Sequence, residues 1–120
     1  MTGPYAAGEG GPLVPRPELT RQALRRAVTE VVPSRLPEFL EDLRKAFVRA
    51  GDEGGVVPVR MFCLRWGVVV EIERRPATAR GLRAAERAID SPDPAVRDRA
   101  VRKAGDIVRA AHREVEGGSQ

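Results

Sequence analysis

The sequence predicts an all-α fold, a small single domain of four to five short helices. Apolar residues recur at three- and four-residue intervals in several segments, and Pro, Gly or a capping side chain bounds most of these segments. One segment also alternates partly as a strand would, but no second strand is predicted to pair with it. With 120 residues, the chain supports one domain with a modest core.

The two ends of the chain are predicted to lie outside the helical domain. Eight of the first 17 residues are Gly or Pro, which predicts a disordered arm over residues 1–17. Docking of Tyr5, Leu13 and Val14 onto the domain is the alternative. The predicted helical domain covers residues 18–116, and a disordered tail covers residues 117–120.

Two amphipathic segments follow the arm. Thr20 is a good N-cap for a helix over residues 21–31, and Pro33 ends that helix. A second helix is expected over residues 35–50, with Gly51 as its C-cap at the start of a flexible GDEGG loop. The apolar stripes of these helices are Leu24, Ala27, Val28 and Val31, then Leu36, Leu40, Leu43 and Phe47.

The segment VVPVRMFCLRWGVVVEIERRP holds the only Trp and the only Cys of the chain. Pro58 can open a third helix that places Phe62 and Trp66 on one buried face. Four β-branched residues between positions 68 and 72 leave a short strand over residues 68–73 as the alternative. The predicted core contains Leu24, Val28, Leu40, Leu43, Phe47, Phe62, Trp66, Leu82, Ile89, Val101 and Val108.

Two further helices complete the domain. One is expected from Pro76 to about residue 90, and the last begins at Pro94 with Asp93 as its N-cap and runs to about residue 115. Apolar residues of the last helix follow a heptad-like spacing. They form a seam that packs either on the protein's own helices or on a partner helix: Val101, Ala104, Val108 and Ala111.

The net charge of +4 is unevenly distributed. Residues 1–73 carry ten basic and ten acidic side chains, whereas residues 74–113 carry eleven basic and five acidic ones. Such an excess can bind phosphates or an acidic protein. The arginines assigned to this contact are Arg80, Arg83, Arg87, Arg102 and Arg109. Carboxylates interleave with these arginines and no aromatic lies among them, which weakens the nucleic-acid interpretation.

No catalytic constellation is found in the sequence. His112 is the only His and Cys63 the only Cys, so we expect no metal centre, no His-paired nucleophile and no internal disulfide. No phosphate-binding glycine motif follows a strand. The chain is therefore expected to be non-enzymatic and to need no cofactor. No signal peptide and no bilayer-length apolar stretch is found, so a cytoplasmic location without membrane contact is expected.

Two segments, PSRLPEFLEDLRKAF and VVPVRMFCLRW, carry a family resemblance within residues 33–89. The first is a Leu-Pro helix ending in Phe47, and the second carries the Arg65-Trp66 pair. This pattern resembles a family of short, uncharacterised actinobacterial helical proteins. The resemblance implies a single helical domain with an antitoxin-like or regulatory role, and it transfers no catalytic residue.

These observations together predict a non-enzymatic protein-interaction module. It would act as a small cytoplasmic regulator or antitoxin-like protein and bind another protein through its C-terminal helices. The alternative is a DNA-associated regulator that binds phosphates through its basic C-terminal face. A homodimer formed along the seam is a further arrangement that the heptad-like spacing allows.

Overall fold

A computed structural model describes residues 11–118, which form helices and contain no strand. The all-α prediction is confirmed, and residues 68–73 are helical. The elements are α1 (Arg21–Val31), a 3₁₀ turn (Pro33–Arg35), α2 (Leu36–Glu53), α3 (Val57–Glu73), α4 (Pro76–Ala88) and α5 (Pro94–Gly118).

Helix α3 lies at the centre of the fold and contacts α1, α2, α4 and α5. Its buried residues therefore lie on several sides of the helix: Pro58, Phe62, Cys63, Trp66, Gly67, Val68, Val70, Glu71 and Ile72. A helix surrounded by other helices gains from apolar residues all round. This packing outweighs the low helix propensity of its valines and explains why the segment is not a strand.

Two apolar clusters form the core. In the first, α1 and α2 pack on α3, and the Phe39 ring lies 5.1 Å from the Phe62 ring and 5.3 Å from the Trp66 ring. The indole Nε1 of Trp66 donates a hydrogen bond to Asp42 Oδ2 at 3.1 Å, so the polar atom of this buried ring has a partner. The second cluster joins α3, α4 and α5 through Val68, Ile72, Ala79, Ala111 and Val115.

Two other parts of the chain pack closely against α3 at Gly67. A Cβ atom added there would lie 2.6 Å from Leu19 Cδ2 and 3.3 Å from Val115 Cγ1. The first distance is shorter than real Cβ contacts. Glycine therefore lets the segment before α1 and the end of α5 pack directly on the α3 backbone.

Three residues assigned to the core by their spacing are exposed instead. Leu40 is 38% exposed, Phe47 45% and Val101 56%. Helix α2 is rotated so that Phe39, fully buried, faces the core. In α5 the small Ala100 occupies the buried position beside Val101. The predicted core is wrong at these positions, because spacing gives the stripe but not its rotation toward the neighbouring helix.

Helix ends differ from the prediction at two places. Gly51 lies within α2, and the left-handed residue that follows the helix is Gly54, with φ of 70°. The first part of the predicted GDEGG loop is therefore helical. Helix α5 continues through Gly118, so residues 117–118 of the predicted tail are helical, and residues 119–120 lie outside the described chain.

The N-terminal segment is docked where the structure describes it. The Leu13 amide donates to the Arg74 carbonyl at 2.7 Å, and Arg16 Nε donates to Glu71 Oε1 at 2.8 Å. In residues 11–17 of the predicted disordered arm, the chain lies against the domain, because Arg16 supplies a counter-charge to a buried carboxylate. Residues 1–10 of that predicted arm, including Tyr5, lie outside the described residues.

Candidate protein-docking surface

Large apolar side chains are exposed where α2 ends and α3 begins. Phe47 is 45% exposed, Val56 65%, Val57 57% and Met61 55%. Phe47 and Val56 line one groove, and Met61 lines a neighbouring one; both grooves share Leu64. We refer to Phe47, Val56, Val57, Met61 and Leu64 as the docking surface.

The centre of the docking surface is a stripe on α3. Val57, Met61, Leu64 and Val68 are spaced at i, i+4, i+7 and i+11, so they lie along one face of the helix. Val68 is buried in the second cluster, where α5 packs on it, whereas Val57 and Met61 are more than half exposed. Helix α5 thus covers one end of the stripe and leaves the other end open to solvent.

The first groove has a volume of about 650 Å³ and lies beside this stripe. It is lined by Leu19, Arg21, Phe47, Val56, Val59, Arg60, Cys63, Leu64 and Glu116. The guanidinium carbon of Arg21 lies 5.1 Å from the centre of the Phe47 ring, a cation–π distance. Among residues 11–118, neither Arg21 nor Arg60 has a carboxylate oxygen within 4 Å.

The second groove, about 420 Å³, lies between α3, α4 and α5. Its arginines already have partners: Arg35 Nε lies 2.9 Å from Glu38 Oε1, and Arg65 Nη1 lies 3.0 Å from Asp42 Oδ2. Arg35 also stacks on the Trp66 ring at 5.0 Å. The polar edge of this groove is thus neutralised by the protein itself, in contrast to the edge at Arg60.

Much of the predicted seam on α5 packs against the protein's own helices. Ala111 is buried with Val68 and Ile72, and Val108 packs against the same cluster. Ala104 is half-buried, and Val101 is 56% exposed. Ala111 is therefore not available to a partner helix, and Val101 is the accessible member of the seam.

The five predicted contact arginines are all exposed. Arg80, Arg83 and Arg87 share the solvent face of α4, and Arg102 and Arg109 share that of α5. Two of them are paired: Arg83 Nη1 lies 3.3 Å from Glu73 Oε1, and Arg109 Nη2 lies 2.7 Å from Asp106 Oδ1. Within the described chain, the other three have no carboxylate oxygen within 4 Å.

The two side chains considered as catalytic candidates, His112 and Cys63, line different grooves. Half-buried His112 lines the second groove, and Cys63 is buried beside the first. Burial raises the pKa of the Cys63 thiol although Arg21 acts in the opposite direction, so the thiolate nucleophile is disfavoured at neutral pH. Residues 11–118 contain no group of three or more His, Cys, Asp or Glu side chains placed to hold a metal ion.

Sequence reasoning missed a buried ionic cluster at Glu71. This residue is 4% exposed. Its carboxylate accepts hydrogen bonds from Arg16, from Arg74 at 3.0 Å and from Arg75 at 3.3 Å. Arg16 also donates to Glu114 at 2.9 Å. The cluster joins the N-terminal segment to α3 and α5.

Burial by itself would raise the pKa of Glu71, but hydrogen bonds from Arg16 and Arg74 and their charges lower it to about 2. The carboxylate is therefore ionised at neutral pH and cannot serve as a general base with a matched pKa. Arg74 and Arg75 follow Glu71 at the end of α3, whereas Arg16 comes from the N-terminal segment, so the carboxylate has a structural role in holding that segment on α3.

The docking surface was also missed, because Phe47 was assigned to the core. One signal in the sequence could have revealed it. Val57, Met61, Leu64 and Val68 form a second apolar stripe on the helix that already buries Phe62 and Trp66. A helix with two such stripes needs a neighbour for each of them.

Among residues 11–118, no helix has both the length and the apolarity needed to cross a bilayer. Comparison of the chain with models of known protein families, with curated proteins and with solved structures found no match.

Proposed function

We propose that this chain is a non-enzymatic protein-interaction module, a small cytoplasmic regulator or antitoxin-like protein whose docking surface binds another protein. The observation that supports the proposal is the exposure of Phe47, Val56, Val57 and Met61 where α2 ends and α3 begins, beside two grooves that share Leu64. Contiguous exposed apolar side chains are uncommon on small monomers and mark interaction sites. The proposed contact lies on α2 and α3 and not on the C-terminal helices.

Covering these side chains would favour association. Fully burying one large apolar side chain contributes about 1.5–3 kcal/mol, so covering four half-exposed ones contributes roughly 3–6 kcal/mol before the entropic cost of association. A partner that also supplies contacts in the first groove would add to this value. Association itself costs about 4–15 kcal/mol, so these four side chains alone would not hold a partner and such additional contacts are required.

The test compares two variants at equally exposed apolar positions. Met61→Glu places a charge within the docking surface, and Val101→Glu places one on the seam of α5; the wild-type side chains are 55% and 56% exposed. Each tagged chain is used to capture partners from its host lysate after nuclease treatment. We expect that the wild-type chain and the Val101→Glu variant both capture the same partner protein and that the Met61→Glu variant does not.

Two results would contradict this proposal. In one, wild type retains no protein; in the other, the partner is lost with Val101→Glu and kept with Met61→Glu, which would move the site to the seam. The single Trp66 is fully buried, so an unchanged fluorescence emission maximum shows that each variant is folded.

A second candidate function is DNA binding through α4 and α5. It is favoured by Arg80, Arg87 and Arg102, which have no carboxylate oxygen within 4 Å in the described chain. Duplex binding would weaken steeply with salt, with a slope of about −0.9 per phosphate contacted. Arg80→Glu/Arg87→Glu would reduce it.

The matched control for DNA binding changes charge equally on α2. Arg44→Glu/Lys45→Glu alters two basic residues there, outside the proposed DNA-binding face. Fluorescence anisotropy with a labelled duplex measures all three proteins over a salt series. Equal weakening by both double variants would indicate a nonspecific charge effect and would refute a binding face on α4 and α5.

A further inference from the structure

The open stripe on α3 continues a helix–helix contact that the protein already makes. Val68, at one end, is buried with Ala111 and Val115 of α5. Val57 and Met61, on the same face, are 57% and 55% exposed, and no helix within residues 11–118 covers them. Rows of side chains spaced by three and four residues form ridges that fit the grooves of another helix. The open half of the stripe therefore offers the packing that α5 uses on the covered half.

The length of the stripe limits the size of such a helix. Val57 and Leu64 are seven residues apart, which is about 10 Å along the axis. A segment of about 8–12 residues, with apolar side chains at i, i+4 and i+7, would cover this distance. Its outer side chains would reach Phe47 and Val56 in the first groove.

The two edges of the stripe differ in charge. At 100° per residue, Arg60 and Arg65 project from opposite sides of it. Arg65 is held by Asp42 at 3.0 Å, whereas Arg60 and neighbouring Arg21 lack a carboxylate oxygen within 4 Å among the described residues. Glu116 lines the same groove. Because the two arginines outnumber this one carboxylate among the lining residues, carboxylates on a partner would be favoured along the Arg60 edge.

The same arginines disfavour a second copy of this chain as the occupant. A two-fold axis that packs the stripe on itself with the helices antiparallel places Arg60 against Arg60. With the helices parallel, it places Arg60 against Arg65, whose charge is already offset by Asp42, so Arg60 gains no carboxylate partner in that arrangement either. Like charges facing each other across an interface weaken association. A different chain avoids this repulsion.

We infer that the segment bound by the docking surface is an amphipathic α-helix that carries carboxylates on the edge facing Arg60 and Arg21. This inference rests on the proposed function. It specifies the partner's structure and its charge, which the proposed function leaves open.

The experiment selects binders from a library of displayed helices. The apolar positions vary among Leu, Ile, Met and Phe, and the edge positions vary among Glu, Lys and Gln. The full chain serves as bait, and selected helices are then measured against Met61→Glu, Val101→Glu and Arg60→Glu. We expect Glu to be enriched on one edge and binding to be lost with Met61→Glu but kept with Val101→Glu.

Arg60→Glu provides the charge test. It is expected to weaken the selected helices about fivefold, less at high salt, and exchange of their edge Glu for Lys should restore binding to this variant. The inference is overturned if no helix is enriched, if edge Glu is not preferred, or if Met61→Glu binds as wild type does. It is also overturned if sedimentation shows a wild-type dimer that Met61→Glu converts to monomer, since the occupant is then a second copy.

The outcomes separate this inference from the proposed function. One outcome is that a cellular partner binds in a way that depends on Met61 but not on Val101, while no helix is enriched from the library. That outcome would support the interaction module and exclude a helical acidic segment as its ligand. If no cellular partner depends on Met61 and no helix is enriched from the library, both proposals are refuted.

Discussion

Replacement of Glu71 by Gln tests the buried ionic cluster. The substitution keeps the shape of the side chain and removes its charge. Arg74, whose side chain is 6% exposed, would then remain buried without that counter-charge. Arg16 would lose the carboxylate that holds the N-terminal segment on α3.

The pKa of Glu71 gives the magnitude. It is lowered from 4.5 to about 2 in the folded protein. One pKa unit corresponds to about 1.4 kcal/mol, so the ionised carboxylate stabilises the fold by about 3 kcal/mol at pH 7. Removing one member of a buried ion pair costs a similar amount, about 3–5 kcal/mol.

The sign of the pH dependence follows from the lowered pKa. The stabilisation is complete above the unfolded-state pKa of 4.5 and is lost as the pH falls toward 2. Linkage with these two values predicts that the difference between wild type and Glu71→Gln falls from about 3 kcal/mol at pH 7 to about 1.5 kcal/mol at pH 3.

Urea unfolding followed by circular dichroism at both pH values measures this difference. Glu41→Gln is the control, since Glu41 forms an ion pair on the exposed surface of α2, 2.6 Å from Arg44. We expect no measurable loss from that variant. A loss below about 1 kcal/mol for Glu71→Gln at pH 7, or a loss independent of pH, would refute the reasoning.

Two further predictions concern packing and the N-terminal segment. Gly67→Ala places a Cβ 2.6 Å from Leu19 Cδ2 and 3.3 Å from Val115 Cγ1. The Leu19 side chain can turn away, but Val115 is β-branched and buried, so we expect overpacking to exceed the helix-propensity gain and to destabilise the protein by about 1 kcal/mol. Gly51 has open space around it, so the control Gly51→Ala should raise the free energy of unfolding in urea by about 0.5–1 kcal/mol. If both variants changed the free energy of unfolding equally, the close packing at Gly67 would be contradicted. Arg16→Ala should speed hydrogen exchange of the Leu13 amide, and unchanged exchange would show that Arg16 does not hold this segment.

Local signals predicted most helix ends correctly. Thr20 caps α1 as expected, with its Oγ1 accepting from the Ala23 amide at 3.1 Å, and Asp93 Oδ1 accepts from Ala95 at 2.9 Å before α5. These contacts span two or three residues, so the local sequence contains both partners. Gly51 was one exception, because the helix continues to a later glycine with a left-handed backbone, and the end of α5 was the other.

The candidate docking surface needed the tertiary structure. Spacing identified the apolar stripe that contains Phe47 but could not show that Phe39 takes the core position beside Trp66. The exposure of Met61 depends on where α5 crosses α3. Neither can be obtained from periodicity, because each depends on the rotation and crossing of two helices.

The sequence by itself determined that this chain is helical and where most of its helices begin. Caps, prolines and three-to-four-residue spacing act within a few positions of one another. The tertiary structure decided which apolar stripes are covered and how the charges pair. Arg16 and Glu71 are 55 residues apart in the chain, yet their atoms lie 2.8 Å apart, because the packing of α5 and the N-terminal segment around α3 brings them together.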